Sequence, residues 1–90
     1  MRVIVCGAGQ VGVSIARQLA LEGMDVVVVD QSATLAQRLG DSLDVQAITG
    51  HASDPEVLQL AGAEYADMII AATVSDEVNM VACQVAHSLF

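Results

Sequence analysis

Three glycines near the start of the chain have the spacing of a phosphate-binding loop. Gly7, Gly9 and Gly12 form a G-x-G-x-x-G pattern directly after the apolar residues 3–6. In a dinucleotide site the first glycine permits a tight turn, the second leaves room for a pyrophosphate, and the third lets the next helix pack closely. The anion lies over unpaired N–H groups at the helix start, where the peptide dipoles present partial positive charge. Because turns that bind nothing can share this spacing, the interpretation depends on the surrounding sequence.

The acid that ends the next apolar segment supports a dinucleotide site. Residues 25–30 (DVVVVD) are typical of a buried strand, and Asp30 follows Gly12 by 18 positions. Dinucleotide-binding folds have a carboxylate about 20 residues after the glycine motif, where it binds the adenosine ribose. We predict that Asp30 accepts hydrogen bonds from both ribose hydroxyls and that its charge disfavours the 2′-phosphate of NADP. Capping of the following helix is its alternative role, and Gln31 either borders the adenine or is a solvated loop residue.

Residues after two further predicted strands complete the candidate site. His51 and Ala52 follow the third predicted strand, and Thr73 and Val74 follow the fourth. Ligands of open parallel sheets bind in the crevice outside the carboxyl ends of the strands, so we expect these four residues to line it. The alternatives are an exposed loop histidine and a threonine that only terminates its strand. The predicted cofactor-binding residues are therefore Gly7, Ala8, Gly9, Gln10, Val11, Gly12, Asp30, Gln31, His51, Ala52, Thr73 and Val74.

Alternating apolar strands and amphipathic helices must position these residues. The hydrophobic pattern predicts strands at 2–6, 25–30, 45–49 and 68–72, and helices at 10–22, after Ser32 up to Gly40, at 55–62, and from Ser75 to the last residue. This βαβαβαβα order implies a parallel sheet with right-handed crossovers. We therefore predict an α/β fold with a Rossmann-like parallel sheet in the order 3-2-1-4 and helices on both faces.

The first helix is predicted to bury one apolar stripe against the sheet. Val11, Ile15 and Leu19 are spaced four residues apart, which puts them on one face of an α-helix. Gly23 is expected to end this helix in the left-handed conformation that glycine adopts readily.

The second and third helices have recognisable ends. Ser32 can cap the second helix, Leu35 and Leu39 are expected to share its buried face, and Gly40 is expected to close it. The third helix should begin at residues 54–56, because Asp-Pro-Glu provides a cap, a proline at the first helical position and an acid in the first turn.

The composition excludes several classes of protein for this segment. The net charge is −8, with three arginines and no lysine, whereas nucleic acids and anionic lipids bind basic surfaces. Without lysine a Walker-type loop and a Schiff-base enzyme are also excluded, so main-chain amides are the expected phosphate ligands. Cys6 and Cys83 fit no metal or redox spacing, no residue set suggests catalysis, and no apolar run has the length of a membrane span. We predict no catalytic residue, no metal site, no direct membrane insertion and a cytoplasmic location.

Two features suggest that this small domain is part of a larger assembly. The predicted strand 68–72 would be a sheet edge without a charge, a proline or a bulge to protect it. The last predicted helix has two apolar stripes, one that includes Val81 and one that includes Cys83, so it needs two neighbours. We therefore expect residues 1–90 to be a single dinucleotide-binding domain from a longer chain, or a domain on which a second copy packs to form a homo-oligomer.

The complete pattern resembles a known family. The chain resembles the N-terminal nucleotide-binding domains of Trk potassium-uptake regulatory subunits, which belong to the RCK or KTN domains that regulate potassium conductance. The resemblance rests on the segments VIVCGAGQVG, ITGHASDPEVLQLAGAEYADMIIAAT and SDEVNMVACQVAHSLF, and on Asp30. It implies a non-catalytic cytoplasmic subunit, held at the inner face of the cell membrane by a membrane-embedded potassium transporter, which it controls by binding NAD(H). Some relatives bind ATP or ADP through a basic residue in the glycine loop that contacts a terminal phosphate. Gln10 is in that region here, which favours a dinucleotide, NADH or NAD⁺, over a triphosphate.

Two other functions are compatible with the same residues. The first is the NAD-binding half of a dehydrogenase, because such an enzyme would supply its proton-transfer residue from outside this segment. A second βαβ unit with its own glycine loop downstream favours regulation, and an unrelated catalytic domain favours the enzyme. The other function is the nucleotide domain of a cation/proton antiporter or channel, which would have transmembrane segments before it. Met1 directly before the first strand favours a separate subunit.

Overall fold

Four parallel strands form one sheet in the computed structural model, which describes residues 1–73. The elements are, in chain order, β1 (Arg2–Cys6), α1 (Gln10–Leu21), β2 (Asp25–Asp30), α2 (Ala33–Ser42), β3 (Gln46–Thr49), α3 (Pro55–Leu60), a 3₁₀ turn (Ala63–Tyr65) and β4 (Met68–Ala71). The strand order is β3-β2-β1-β4, and every pairing is parallel. The predicted Rossmann-like sheet order is confirmed. Val74 and the helix predicted from Ser75 lie outside the described residues.

The two central strands are buried on both faces of the sheet, as their continuous apolar sequences predict. In β1, Ile4 and Cys6 face one side and Val3 and Val5 face the other. Helix α3 covers the first side, where Leu58 is fully buried. Helices α1 and α2 cover the second side. The prediction of helices on both faces is therefore confirmed.

Helix α1 packs on the sheet with only part of the predicted apolar stripe, because Ile15 and Leu19 are partly buried against the core. Its buried residues are Gly12 and Ala16, whereas Val11 is 63% exposed. The prediction that Val11 faces the sheet is wrong. The reason is local: an ideal Cβ at Gly12 would overlap the carbonyl oxygen of Gly7, so this contact between loop and helix sets the rotation of α1. Val11, one position earlier, is then turned outward.

Helix α2 extends beyond the predicted end at Gly40. The helix runs to Ser42, and the N–H of Leu43 still donates to the carbonyl of Leu39 at 2.9 Å. A Cβ at Gly40 would lie 3.4 Å from the Cβ of Ala47, so this glycine packs closely against β3 instead of ending the helix. Leu39 is buried as predicted, but Leu35 is 37% exposed.

The predicted roles of Gly23, Ser32 and Asp54 at helix ends are confirmed, whereas α3 ends at Leu60, two residues before the predicted end. Gly23 follows α1 with φ +83°, in the left-handed region. The Ser32 hydroxyl accepts a hydrogen bond from the N–H of Leu35, and the Asp54 carboxylate accepts one from the N–H of Glu56. These caps fix where α2 and α3 begin, and both helices begin at the edge of the sheet where the strands end.

Candidate functional site

A cleft of about 270 Å³ opens at the carboxyl ends of all four strands. The chain runs from β1 outward to β2 and β3 on one side and then crosses back to β4 on the other side of β1, so the strand order reverses at β1. Such a switch point is where open α/β sheets bind ligands. The cleft is lined by Gly7, Gly9, Val29, Asp30, Gln31, Ser32, Leu35, Gly50, His51, Ala52, Ala72 and Thr73.

The glycine loop is held between the ends of β2 and β4. Gly7 has φ +120°, in the region that favours glycine. A Cβ at Gly7 would lie 2.6 Å from the carbonyl oxygen of Ala72, which follows β4. On the other side, the N–H of Gly7 donates to the carbonyl of Val29 at 2.7 Å. The turn therefore needs glycine both for its conformation and for the close approach of β4.

There is room for a side chain at Gly9 but not at Gly12. A Cβ at Gly9 would meet no atom of the described residues within 4 Å, whereas a Cβ at Gly12 would overlap the Gly7 carbonyl. Gly9 is the N-cap of α1, with extended backbone at φ −76°. No described part of the fold therefore requires a glycine at this position. The absence of a side chain at Gly9 leaves the N-terminal end of α1 accessible.

The main-chain amides of the loop divide into two groups. The N–H groups of Gly7 and Ala8 are already used, by the Val29 carbonyl and by the Asp30 carboxylate. In the part of the chain that the structure describes, the N–H groups of residues 9–12 have no such acceptor, and no side chain caps α1. The start of any α-helix has donors of this kind, and they attract anions. The donors available to a phosphate are therefore those of residues 9–12.

The Asp30 carboxylate connects the glycine loop to α2. Its Oδ2 accepts from the N–H of Ala8 and its Oδ1 accepts from the N–H of Ser32, both at 2.7 Å. The N-cap of α2 is Ser32. Asp30 therefore does not cap this helix, which was its alternative predicted role, but accepts a hydrogen bond from the N–H of the N-cap residue. An ionised carboxylate has about four acceptor positions. About two remain for ligand hydroxyls, and the half-buried side chain lies in the lining of the cleft.

The loop after β3 forms the opposite wall of the cleft. The N–H of Gly50 donates to the carbonyl of Asp30 at 2.9 Å, which joins this wall to the end of β2. Ala52 is buried among the apolar residues on the α3 side of the sheet. His51 is exposed, and its Nδ1 lies 2.6 Å from the Ser53 hydroxyl.

The structure brings seven of the predicted site residues together in the cleft lining. They are Gly7, Gly9, Asp30, Gln31, His51, Ala52 and Thr73. Ala8 and Gln10 line a neighbouring groove between α1 and α2, where Ala8 is buried and Gln10 is exposed. Gly12 is buried beneath the loop, and Val11 is exposed on the first turn of α1. Val74 lies outside the described residues.

Five lining residues were not predicted from the sequence, namely Val29, Ser32, Leu35, Gly50 and Ala72. Four of them are direct neighbours of predicted residues at strand ends, so position relative to the strands is a signal that could have found them. Leu35 was assigned to the buried face of α2 instead. It lies one turn from the start of α2, with 37% of its surface exposed, and supplies an apolar contact at the rim of the cleft.

Residues 1–73 contain neither a candidate metal site nor a candidate membrane span. No group of three or more His, Cys, Asp or Glu side chains is arranged to hold a metal ion there. No helix in the same range is both long enough and apolar enough to cross a membrane.

Residues 3–90 match the TrkA-N domain family. The chain belongs to this family. Over its full length the chain is 59% identical to the Trk system potassium uptake protein TrkA of Azorhizobium caulinodans and 52% identical to that of Halomonas elongata. It spans 20% of the length of each of these relatives. The fold also matches the TrkA-N domain of the inner membrane protein ybaL from Escherichia coli, at a TM-score of 0.85 and 26% identity, over 97% of this chain and 64% of that one.

The comparisons confirm the resemblance to Trk potassium-uptake proteins and the Rossmann-like fold. This chain corresponds to a TrkA-N domain within these longer relatives. The relatives are named for potassium uptake and not for an enzymatic reaction.

Proposed function

We propose that this TrkA-N domain binds NAD(H) in the cleft and is the sensing part of a cytoplasmic, non-catalytic regulatory subunit of a Trk-type potassium uptake system. In this proposal a membrane-embedded potassium transporter is the partner and holds the subunit at the inner face of the membrane. The names of relatives at 59% and 52% identity support the potassium connection. The geometry of the cleft supports the ligand.

The observation that carries the ligand proposal is the position of free main-chain donors beside a carboxylate. The N–H groups of residues 9–12 point out of an uncapped helix start, next to the open position at Gly9. Asp30 lies beside them, with acceptor positions left for a sugar. A diphosphate needs donors and a ribose needs an acceptor, so a nucleoside diphosphate matches both sets of groups.

The same charges favour NAD(H) over NADP(H). A 2′-phosphate on the adenosine ribose would lie close to the Asp30 carboxylate, which is a like charge. Gln10 offers no charge to a third phosphate at the end of the loop. Adenine nucleotides such as ADP share the adenosine and diphosphate groups and are expected to compete with NADH for the cleft.

Regulation requires only that the ligand binds one arrangement of the assembly more tightly than another. The cleft is formed by segments from all four strand ends, so a bound dinucleotide would hold the glycine loop, the start of α2 and the loop after β3 in one relative position. A second copy of the domain, or further domains of a longer chain, would transmit that restriction to the transporter.

The test is a Gly9→Val variant titrated with NADH by calorimetry. The backbone of Gly9 is compatible with valine and an added Cβ would meet no described atom within 4 Å, so we expect a loss of stability of at most about 1 kcal/mol. The side chain would occupy the diphosphate position, so NADH binding should be lost. Gln59→Val, an exposed site on α3, is the control and should bind like the wild type. Equal NADH affinity in Gly9→Val and the wild type would contradict the proposed site.

The non-catalytic role has its own test. Purified protein mixed with NADH and common keto acids is expected to show no change in absorbance at the NADH maximum, although NADH binds. Steady oxidation of NADH would instead support the NAD-binding half of a dehydrogenase.

A further inference from the structure

The groove between α1 and α2, called the α1–α2 groove below, contains two of the few basic side chains of an acidic protein. It has a volume of about 530 Å³, with Arg17 in the α1 wall and Arg38 in the α2 wall. The whole chain has a net charge of −8, with three arginines and no lysine. None of the residues that line the groove is an acid. The groove is therefore a positively charged site on a negatively charged molecule.

Each wall of the α1–α2 groove is one stripe of a helix. The walls are formed by Gln10, Val13, Ser14 and Arg17 of α1 and by Leu35, Arg38, Leu39 and Ser42 of α2. Both sets have the spacing i, i+3, i+4 and i+7, which places four side chains on one face of a helix. A stripe of this kind is about 10 Å long. An extended segment of about three residues matches that length.

The two guanidinium groups are available to a carboxylate from another molecule. Both arginines are exposed, and neither forms an ion pair with a carboxylate of residues 1–73. Asp41 follows Arg38 by about one helical turn but does not line the groove. A guanidinium group presents a planar fork of N–H donors that binds a carboxylate through two parallel hydrogen bonds. Each wall therefore offers one binding position for an acid.

The rest of the lining fits a peptide better than a small inorganic anion. The hydroxyl of Ser14 donates to the Gln10 carbonyl at 3.0 Å, and the hydroxyl of Ser42 donates to the Arg38 carbonyl at 2.9 Å. Neither hydroxyl proton is left for an anion. Leu39, which is buried, adds apolar surface between the charged positions. Separate charges with apolar surface between them match a segment with an apolar side chain between two acids.

We propose that the α1–α2 groove docks an acidic segment of a partner protein. One carboxylate binds Arg17, a second binds Arg38, and an apolar side chain between them packs against Val13 and Leu39. Charge complementarity selects this occupant, because an acidic segment is attracted to the groove and repelled by the acidic surface elsewhere. The inference does not depend on a bound dinucleotide. Because Gly9 lines both the groove and the cleft, the docked segment would lie beside the cleft.

Selection from a random peptide library on the immobilised protein tests this proposal. Enriched peptides should contain two or more Asp or Glu residues close to an apolar residue. Fluorescein-labelled copies of them should bind the protein in solution, as measured by fluorescence anisotropy. Arg17→Gln and Arg38→Gln should each weaken this binding about twofold to fivefold, the range for an exposed ion pair, and the double variant should weaken it more than either. High salt should weaken it as well.

Gln37→Glu is the matched control for the two arginine variants. It makes the net charge more negative by one unit, as each of them does, but Gln37 is exposed on α2 and does not line the groove. The selected peptides should bind this variant as tightly as the wild type. Failure to enrich any peptide, enrichment without an excess of acids, or equal weakening in Gln37→Glu and Arg38→Gln would overturn the proposal.

Other occupants of the groove would give different results. A dimer that light scattering detects and that Arg38→Gln dissociates would assign the groove to a second copy of the chain. Binding to phosphatidylglycerol vesicles that the arginine variants abolish, without binding to peptides, would assign it to a membrane. Both results would overturn the proposal. NADH titration of Arg38→Gln separates it from the nucleotide site: NADH affinity should be unchanged, and its loss would place this arginine in that site instead.

Discussion

Replacement of Asp30 by asparagine tests the part of the site where fold and ligand share one side chain. The carboxylate accepts from the N–H groups of Ala8 and Ser32, each at 2.7 Å. Asparagine has one acceptor oxygen, and its amide nitrogen is a donor. One of the two main-chain donors would therefore lose its acceptor and face another donor, while the size of the side chain stays the same.

The stability change follows from one lost hydrogen bond to a charged group. Such bonds contribute about 1.5 to 3 kcal/mol, and the lower end applies because Asp30 is only half-buried. We expect the free energy of unfolding to fall by about 1.5 to 2 kcal/mol.

Two opposing effects decide the change in NADH affinity. Loss of one charge-assisted bond to a ribose hydroxyl weakens binding by about 1.5 to 3 kcal/mol. Removal of a negative charge several ångströms from the diphosphate helps by about 0.5 to 1 kcal/mol at solvent-like dielectric. The lost bond is the larger effect, so the Kd for NADH should rise about fivefold to thirtyfold. NADPH benefits more from the removed charge, because of its 2′-phosphate, so its affinity relative to NADH should increase.

Calorimetric titration with NADH and NADPH, together with urea denaturation, measures all three quantities on the same samples. The control is Asp25→Asn at the other end of β2. It removes the same charge from an exposed side chain that pairs with Arg2, and it should leave the NADH affinity unchanged. An Asp30→Asn protein that binds NADH within twofold of the wild type would refute the sugar assignment. Unchanged stability would refute the account of Asp30 as the link between the loop and α2.

Two further predictions concern the fold that supports the cleft. Gly12→Ala should lower the free energy of unfolding by about 3 kcal/mol or more in chemical denaturation, because the added Cβ would overlap the Gly7 carbonyl; its control Gly40→Ala, on another helix with a tolerable 3.4 Å contact, should be close to neutral, and equal effects would contradict the packing argument. Leu58→Ala should cost about 2 to 5 kcal/mol because Leu58 is fully buried, whereas Leu60→Ala, on the same helix and 73% exposed, should change stability by less than about 1 kcal/mol.

The sheet and its order could be predicted because the signals are local and repeated. The segment DVVVVD and the strand before the glycine loop are apolar at every interior position. Such continuous apolar strands are typical of a parallel sheet that is covered on both faces. The caps at Ser32 and Asp54 depend on side chains next to the helix start, so the sequence alone identifies them. The spacing of Asp30 from the glycine loop likewise placed an acid in the cleft.

The rotation of the helices could not be predicted in this way. Spacing predicted that Val11, Ile15 and Leu19 share a face, but not that Val11 alone would be exposed. The contact of Gly12 with the Gly7 carbonyl, which sets the rotation of α1, joins two parts of the chain across a turn. Leu35 shows the same limit. A leucine on an amphipathic helix is expected to be buried in the core, and only the tertiary structure shows that Leu35 lies at the rim of a cleft.

The sequence by itself determined the order of the strands, the residues at which the three described helices begin and seven of the twelve residues that line the cleft, because each depends on neighbours along the chain. Only the tertiary structure decided how the amides of the glycine loop are divided, with Gly7 and Ala8 bonded to β2 and residues 9–12 without an acceptor among the described residues. It also decided that Asp30 holds two segments of the fold and that Ser53 orients His51. Hydrogen-bond partners of this kind depend on distances in space, which residue types and spacing do not specify.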